Sequence, residues 1–252
     1  MGQRNVLITG ATSGIGEATA RLLAKNQYKL ILCGRRRDRL EKLKAELAKQ
    51  TSVTTLSFDV RDYGGVKTAL NSLGKEWKRI DVLINNAGNA HGLDPVHKGS
   101  VDDWDAMMDI NVKGLLYVSR EVMPGMTEQK SGHIINIGSI AGKEVYPNGN
   151  VYCASKFAVD ALTRGMRIDL NPFGIKVTSI HPGMVETEFS LVRFKGDAEK
   201  AETVYKGLKP LTAEDIADVI LYVLSTPDHV VIADLVVFPK AQASSTVVHR
   251  EG

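Results

Sequence analysis

Seven short apolar runs, separated by amphipathic stretches, constrain the fold of this 252-residue chain more than any other feature. The runs are NVLITG, KLILCG, VTTLSFDV, IDVLINNAG, GHIINIGS, IKVTSIHPG and DLVVFP. Between them, stretches such as EATARLLAKN and EDIADVILYVLS place apolar residues at intervals of three and four, as helices with one buried face do. Strands that alternate with helices imply right-handed crossovers and a parallel sheet. The pattern therefore predicts an α/β fold, in which one doubly wound, seven-stranded parallel sheet carries helices on both faces.

Composition and charge narrow the classes of function. Lys and Arg total 32 against 29 Asp and Glu, and apart from GRRRDR the basic residues are scattered, which argues against a nucleic-acid partner. No apolar run reaches the length of a membrane span. The start, MGQRNVLITG, enters an apolar run at once and leaves no room for a signal peptide. Two cysteines, Cys33 and Cys153, do not make a disulfide framework, so we expect a cytoplasmic protein without a membrane partner.

Three glycines follow the first apolar run, in the stretch TGATSGIG. In doubly wound sheets, ligands bind beyond the carboxyl ends of the strands. Glycines at a strand-to-helix turn allow the backbone to approach a pyrophosphate, which then meets the free N–H groups and positive dipole of the helix. An ordinary glycine-containing turn is the alternative. The predicted cofactor contacts are Gly10, Ala11, Thr12, Ser13, Gly14, Ile15 and Gly16.

The end of the second apolar run indicates which dinucleotide is bound. An NAD-binding site usually has Asp or Glu here to accept a hydrogen bond from the ribose 2′-OH, whereas this chain has Arg35 and Arg36. Guanidinium groups suit a 2′-phosphate through their charge and their forked donors. The sequence favours NADP, and a solvated basic helix start is the alternative.

Further short motifs occur along nearly the whole chain. After TGATSGIG come DV at 59–60, NNAG at 85–88, Asn111, Ser139, YCASK at 152–156 and HPG at 181–183. In this order the set resembles the short-chain dehydrogenase/reductase family. The resemblance implies a single Rossmann-type domain over residues 1–252 and reversible hydride transfer between a nicotinamide cofactor and an alcohol or carbonyl.

The motif YCASK suggests where the chemistry takes place. Tyr152 and Lys156 are four positions apart in a predicted helix, 151–170, and therefore share a face. Tyrosine has an ordinary pKa of about 10, too high for acid–base work near neutrality. We expect the Lys156 cation, and the positive nicotinamide, to lower it. An exposed helix pair is the alternative. Ser139 can donate a hydrogen bond to the substrate oxygen.

Other contacts rest on the resemblance alone. It implies that Asn111 supports a water linking Lys156 to solvent, and that Lys156 and Tyr152 also hold the cofactor. Asp59 could instead cap a helix starting near Asp62, and the turn HPGMVETEF could be ordinary surface. The further cofactor contacts implied are Asp59, Val60, Asn86, Pro182, Gly183 and Thr187.

The segment after the sixth run points to a substrate class. TEFSLVRFKGDAEKAE, VHKGSVDDWDAMMDINVKGLLYVSR and SGHIINIGSIAG resemble the NADP-dependent serine 3-dehydrogenase and 3-hydroxy acid dehydrogenase group. That resemblance implies serine, allo-threonine or 3-hydroxypropionate as substrates. We expect a lid at about 184–210 and a carboxylate anchor at Arg193, which could instead pack the lid or pair with Asp197. Ser139 and Tyr152 are the other predicted substrate contacts.

Three further expectations complete the sequence reading. A reductase of uncharged ketones or aldehydes is the alternative activity, and a catalytically idle dinucleotide sensor is less favoured because Asn111, Ser139, Tyr152 and Lys156 are all present. By resemblance, the tail at about 241–252 packs across subunits of a homotetramer, a free tail being the alternative. No metal site is predicted.

Overall fold

The fold is built on a seven-stranded parallel sheet. The computed structural model describes residues 3–251, and residues 1, 2 and 252 of the predicted domain lie outside that part. Within it, the strands are β1 (Asn5–Thr9), β2 (Lys29–Gly34), β3 (Val53–Ser57), β4 (Val82–Asn85), β5 (Gly132–Ile137), β6 (Ile175–Pro182) and β7 (Asp234–Val237). Each lies inside one of the seven apolar runs, so the predicted strands are confirmed.

The strand order is β3-β2-β1-β4-β5-β6-β7, and every pairing is parallel. Val6 of β1 pairs with Leu30 of β2 on one side and with Val82 of β4 on the other. From β1, the chain adds β2 and β3 on one side of the sheet, and it then adds β4 to β7 on the other side. A crevice for ligands is expected at this reversal, beyond the carboxyl ends of the two strands.

Helices cover both faces of the sheet. Those of the described chain are α1 (Gly14–Lys25), α2 (Arg37–Leu47), α3 (Tyr63–Asn71), α4 (Val101–Met108), α5 (Leu115–Gln129), α6 (Asn150–Leu170), α7 (Glu188–Arg193), α8 (Ala198–Thr203) and α9 (Ala213–Ser225). The predicted doubly wound α/β fold is confirmed. None of the helices in residues 3–251 has the length and apolarity needed to cross a membrane.

Alternate residues of the strands belong to two separate cores. Leu7 packs in one core with residues of α3, α5 and α6, and its neighbours Val6 and Ile8 pack in the other with residues of α1, α2 and α9. All three strand residues are fully buried. Successive side chains of a strand point to opposite faces of the sheet, and here helices cover both faces. The strands therefore need apolar residues at nearly every position, as the seven runs have.

The predicted lid, 184–210, contains the two short helices α7 and α8. The tail lies against this segment of its own chain. The Gln242 side-chain oxygen accepts a hydrogen bond from the Met184 N–H at 2.8 Å, and the Glu251 N–H donates to the Gly207 carbonyl at 2.7 Å. The alternative of a free tail is therefore wrong for residues 241–251, because one side-chain and one main-chain hydrogen bond join it to the segment 184–210. The homotetramer stays a prediction.

Candidate active site

One cavity of about 500 Å³ opens at the carboxyl ends of the central strands, where the strand order reverses. It brings together seventeen of the residues singled out in the sequence. These are Gly10, Thr12, Ser13, Gly14, Ile15, Arg35, Arg36, Asp59, Val60, Asn86, Ser139, Tyr152, Lys156, Pro182, Gly183, Thr187 and Arg193. Ala11, Gly16 and Asn111 are buried behind its wall instead.

The glycine loop is shaped by close backbone packing. Gly10 and Gly14 have φ angles of +66° and +52°, a conformation that favours glycine. A Cβ on Gly16 would come within 2.4 Å of the Gly10 carbonyl oxygen and 2.5 Å of the Asn86 side-chain nitrogen. Ser13 precedes α1 but its side chain does not cap the helix, so the first N–H groups of α1 face the cavity uncapped.

Arg36 reaches back over this loop. Its guanidinium donates to the Thr12 hydroxyl at 2.9 Å and the Ser13 hydroxyl at 2.8 Å, and it pairs with Glu188 of α7 at 3.0 Å. Arg35 lies on the opposite side, 3.7 Å from the Asp59 carboxylate. Arg36 is thus not a solvated helix start. Sequence reasoning missed Glu188, because it lies 152 positions from Arg36 along the chain and no local sequence pattern links the two.

Asp59 does not cap a helix. Its carboxylate accepts hydrogen bonds from the Arg61 N–H at 3.0 Å and from the Arg61 guanidinium, while α3 begins at Tyr63 after Asp62. Burial raises the pKa of Asp59, but the Arg61 contacts outweigh it and leave the pKa below its usual value. The capping alternative is wrong because the carboxylate is used within its own turn.

Ser139, Tyr152 and Lys156 meet at the inner end of the cavity. The Ser139 hydroxyl oxygen accepts from the Ala141 N–H at 3.1 Å, so its own hydrogen is free to point at a ligand. Tyr152 and Lys156 lie in α6, as predicted, and are 8% and 6% exposed. The alternative of an exposed helix pair is therefore wrong. The Lys156 ammonium donates to the Ile137 carbonyl at 3.0 Å, leaving two of its three hydrogens for other acceptors.

The electrostatics of this pair differ from the expectation. Burial raises the pKa of the Tyr152 phenol well above its ordinary value, and Tyr146 adds to the rise, while Ser139 and Arg193 act against it. Burial also lowers the pKa of Lys156 to about 8. The Lys156 ammonium donates to Ile137 and lies 6.0 Å from the phenol ring centre, and it is not among the main groups that set the pKa of Tyr152 here, so its lowering of that pKa beside a nicotinamide stays a prediction.

Asn111 lies in a single π-helical turn, Asp109–Gly114, between α4 and α5. Its side chain accepts from the Asn89 N–H at 2.8 Å and donates to the Asn89 carbonyl at 2.8 Å and the Ser155 hydroxyl at 3.0 Å. These bonds tie the loop after β4 to α6 beside Lys156. Such π-helical turns are frequent at functional sites.

Arg193 stands over Tyr152 in an aromatic cage. Its guanidinium carbon lies 5.1 Å from the Tyr152 ring centre, 5.6 Å from that of Tyr146 and 6.0 Å from that of Phe189. It donates to the Tyr146 hydroxyl, and its Nε is buried without a partner among residues 3–251. Asp197 pairs with Lys200 instead, so pairing with Arg193 is wrong. Sequence reasoning missed Tyr146 and Phe189, although Tyr146 lies between Ser139 and Tyr152 in the chain.

A family model described as short chain dehydrogenase matches residues 4–197. The chain belongs to the short-chain dehydrogenase family. It is 48% identical over 247 residues to an NADP-dependent 3-hydroxy acid dehydrogenase of Salmonella typhi, covering 97% of this chain and 99% of that one. It is 44% identical to sulfoacetaldehyde reductase 2 of Chromohalobacter salexigens, with 98% of each chain covered.

Solved structures of this family share the whole architecture. The closed form of a serine dehydrogenase complexed with NADP+ superposes with a TM-score of 0.92 at 46% identity, and the match covers 98% of this chain and 100% of that one. The family and its Rossmann-type fold, predicted from the ordered motifs, are therefore confirmed.

Replacing Gly16 with alanine tests the packing of the dehydrogenase glycine loop. The added Cβ collides with the Gly10 carbonyl and Asn86, and we expect the free energy of unfolding to fall by about 1–3 kcal/mol. Gly165→Ala is the matched control, because apart from its neighbours and the backbone of its own helix no atom lies within 4 Å of its Cβ position. Urea unfolding of both variants provides the measurement. Equal stability of the two would contradict the close approach.

Proposed function

We propose that this short-chain dehydrogenase transfers a hydride between NADP and the 3-hydroxy group of small 3-hydroxy acids, or the matching carbonyl, with Tyr152 as general acid and base. The coarser prediction, an NADP-dependent oxidoreductase acting on CH–OH groups, is confirmed by the family and its NADP-dependent members. The observation that carries the finer proposal is the buried, unpartnered Nε of Arg193 above Tyr152 in the same cavity.

The cavity has the features that a dinucleotide phosphate requires. At the glycine loop, the first N–H groups of α1 are uncapped and can donate to phosphate oxygens. Gly14 keeps this part of the loop narrow, because a Cβ there would be only 3.3 Å from Thr187. Arg35 and Arg36 line the end beyond β2, where guanidinium donors suit a 2′-phosphate. The Lys156 ammonium uses one hydrogen on the Ile137 carbonyl, and its other two can donate to ribose hydroxyls. When bound, NADP supplies the hydride acceptor and, on its nicotinamide ring, a positive charge that favours the phenolate.

In this proposal Tyr152 transfers the proton, and Ser139 orients the substrate oxygen. Because burial raises the pKa of Tyr152, the phenol is protonated at neutral pH, the form that donates to an oxygen gaining negative charge during reduction. In oxidation the phenolate accepts the proton of the alcohol. Ser139 donates to the same substrate oxygen, since its contact with the Ala141 N–H does not use the hydroxyl hydrogen.

Arg193 suits the carboxylate of the substrate. A guanidinium binds a carboxylate through parallel donors, and a donor left buried without an acceptor destabilises the protein. A carboxylate oxygen at Nε would remove that cost. The same N–H would also donate to a sulfonate oxygen, so carboxylic and sulfonic acids are both candidates. The reductase of uncharged carbonyls, the homotetramer and the cytoplasmic location stay predictions.

Replacing Arg35 and Arg36 together with alanine tests the cofactor preference. We expect the KM for NADP to rise at least about tenfold, because charge-assisted hydrogen bonds to the phosphate are lost, with a much smaller change for NAD. Arg37→Ala, one position further along α2, is the control and should leave both values near normal. The measurement is the KM for each cofactor from steady-state rates. Equal increases for NADP and NAD would refute the assignment of Arg35 and Arg36 to the 2′-phosphate.

Tyr152→Phe removes the proposed acid–base group and little else. Turnover of 3-hydroxypropionate should fall about 10²–10⁴-fold, the usual loss for such a group. The affinity for NADP, followed by fluorescence titration, should change little. Tyr63→Phe alters an exposed hydroxyl outside the cavity and serves as the control. Near-normal turnover in Tyr152→Phe would exclude this role.

Arg193→Ala tests the substrate class. The ratio of kcat/KM for 3-hydroxypropionate to that for its methyl ester should fall at least about tenfold, since only the acid has a charge for Arg193 to bind. Lys195→Ala is the control, a lid cation that pairs with Asp103 outside the cavity. If Arg193→Ala weakened acid and ester equally, Arg193 would instead serve to fold the lid.

A further inference from the structure

A group of charged side chains lies behind Ser139, outside the cavity. Its members are Lys143, Asp160, His181 and Asp234, contributed by the loop after Ser139, by α6, by the end of β6 and by β7. His181 is fully buried and Asp160 nearly so, whereas Asp234 is exposed. None of the four lines the cavity. The steps of the proposed reaction do not use them.

The two carboxylates already share a cation. The Lys143 ammonium contacts Asp160 at 2.8 Å and also contacts Asp234, and Arg164 pairs with Asp160 from the outer side at 2.9 Å. A metal ion would have to displace Lys143. The group is therefore better described as an internal ion-pair network that fastens α6 and β7 to the Ser139 loop.

His181 connects this network to Ser139. Its Nδ1 lies 3.1 Å from the Ser139 main-chain carbonyl oxygen. A carbonyl oxygen can only accept, so Nδ1 carries the hydrogen. Nε2 faces Asp160 at 3.5 Å and Asp234 at 3.4 Å but has no hydrogen-bond partner among the described residues, and burial lowers the pKa of the ring.

The ring is packed tightly against the loop. A Cβ on Gly138 would come within 2.6 Å of His181 Nδ1, so only glycine lets the imidazole lie this close to the main chain. The Gly138 N–H in turn donates to the Ile180 carbonyl at 2.7 Å. The Ser139 carbonyl also accepts from the Gly142 N–H at 2.8 Å, which closes the turn that carries the Ser139 hydroxyl.

We propose that His181 is a positioning residue for Ser139. Through Nδ1 it holds the Ser139 main chain where the hydroxyl reaches the substrate oxygen, and close packing against Gly138 fixes the plane of the ring. The role in turnover rests on the proposed function. The network places no group on the substrate itself, so it acts on the rate of the reaction and leaves cofactor binding alone.

Two amide substitutions separate the two sides of the ring. In His181→Asn the amide nitrogen lies near the position of Nδ1 and keeps a donor for Ser139, but it is too short to approach the carboxylates. In His181→Gln the longer amide reaches the position of Nε2 and leaves the Ser139 carbonyl without this donor. Each variant therefore keeps one contact and loses the other.

We expect His181→Gln to lower kcat for 3-hydroxypropionate about tenfold to a hundredfold, the effect of a small displacement of a catalytic group. KM and the affinity for NADP should stay near normal, and His181→Asn should retain most of the wild-type kcat. Hydrogen exchange of the peptide covering 138–143 gives a second readout that needs no substrate. The Gly142 amide should exchange faster in His181→Gln and normally in His181→Asn.

The outcomes separate this role from the proposed function. Unchanged exchange in His181→Gln, faster exchange with unchanged kcat, or an equal loss of kcat in both variants would each overturn the positioning role. If the wild-type protein does not oxidise 3-hydroxypropionate, the proposed substrate class fails while the exchange experiment still decides whether His181 holds the loop. Should His181→Gln not fold, His181→Leu, which has no donor for the Ser139 carbonyl, must raise exchange at Gly142, and normal exchange there would overturn the role.

Discussion

The reversal of strand order between β1 and β4 is the constraint on which the rest of the structure depends. The helix after β1 packs on one face of the sheet and the helices after β4 pack on the other, so the two loops separate and leave a crevice. Hydrogen bonds join the two sides at its floor. The Thr9 hydroxyl accepts from the N–H groups of Asn86 and Ala87 at 3.0 Å, and the Asn86 side chain donates back to the Thr9 carbonyl at 3.0 Å. The crevice is therefore a fixed consequence of topology, and loops of different sequence can adapt it to different substrates.

Two cations, the buried Lys156 and the partly buried Arg193, influence which ligands this crevice suits. Lys156 is almost fully buried, and Arg193 is enclosed by aromatic rings with its Nε unpartnered in the part of the chain that the structure describes. A charged group taken out of water is costly unless an opposite charge or hydrogen-bond acceptor replaces the lost hydration. Both residues therefore favour a ligand rich in negative charge and oxygen acceptors, which is the chemistry shared by a dinucleotide phosphate and a hydroxy acid.

The sequence allowed the strands, the helices on both faces and the pairing of Tyr152 with Lys156 on one helix to be predicted, because each depends on a short period along the chain. Contacts between distant segments could not be predicted in this way. Arg193 donates a hydrogen bond to Tyr146, which lies 47 positions away in the chain, and no local sequence pattern predicts that contact. The raised pKa of Tyr152 was missed for a related reason, since the burial of the phenol depends on how α6 packs with Tyr146 and with Phe189 of α7.

The most direct measurement is the rate of NADPH formation by the wild-type protein from NADP, with NAD in parallel. The substrates are L-serine, L-allo-threonine, 3-hydroxypropionate and a neutral secondary alcohol of similar size. The structure predicts that the acids react with NADP and that the neutral alcohol reacts far more slowly. Reaction of the neutral alcohol alone would contradict the proposed role of Arg193 and the hydroxy acid assignment, while leaving the fold and the family intact.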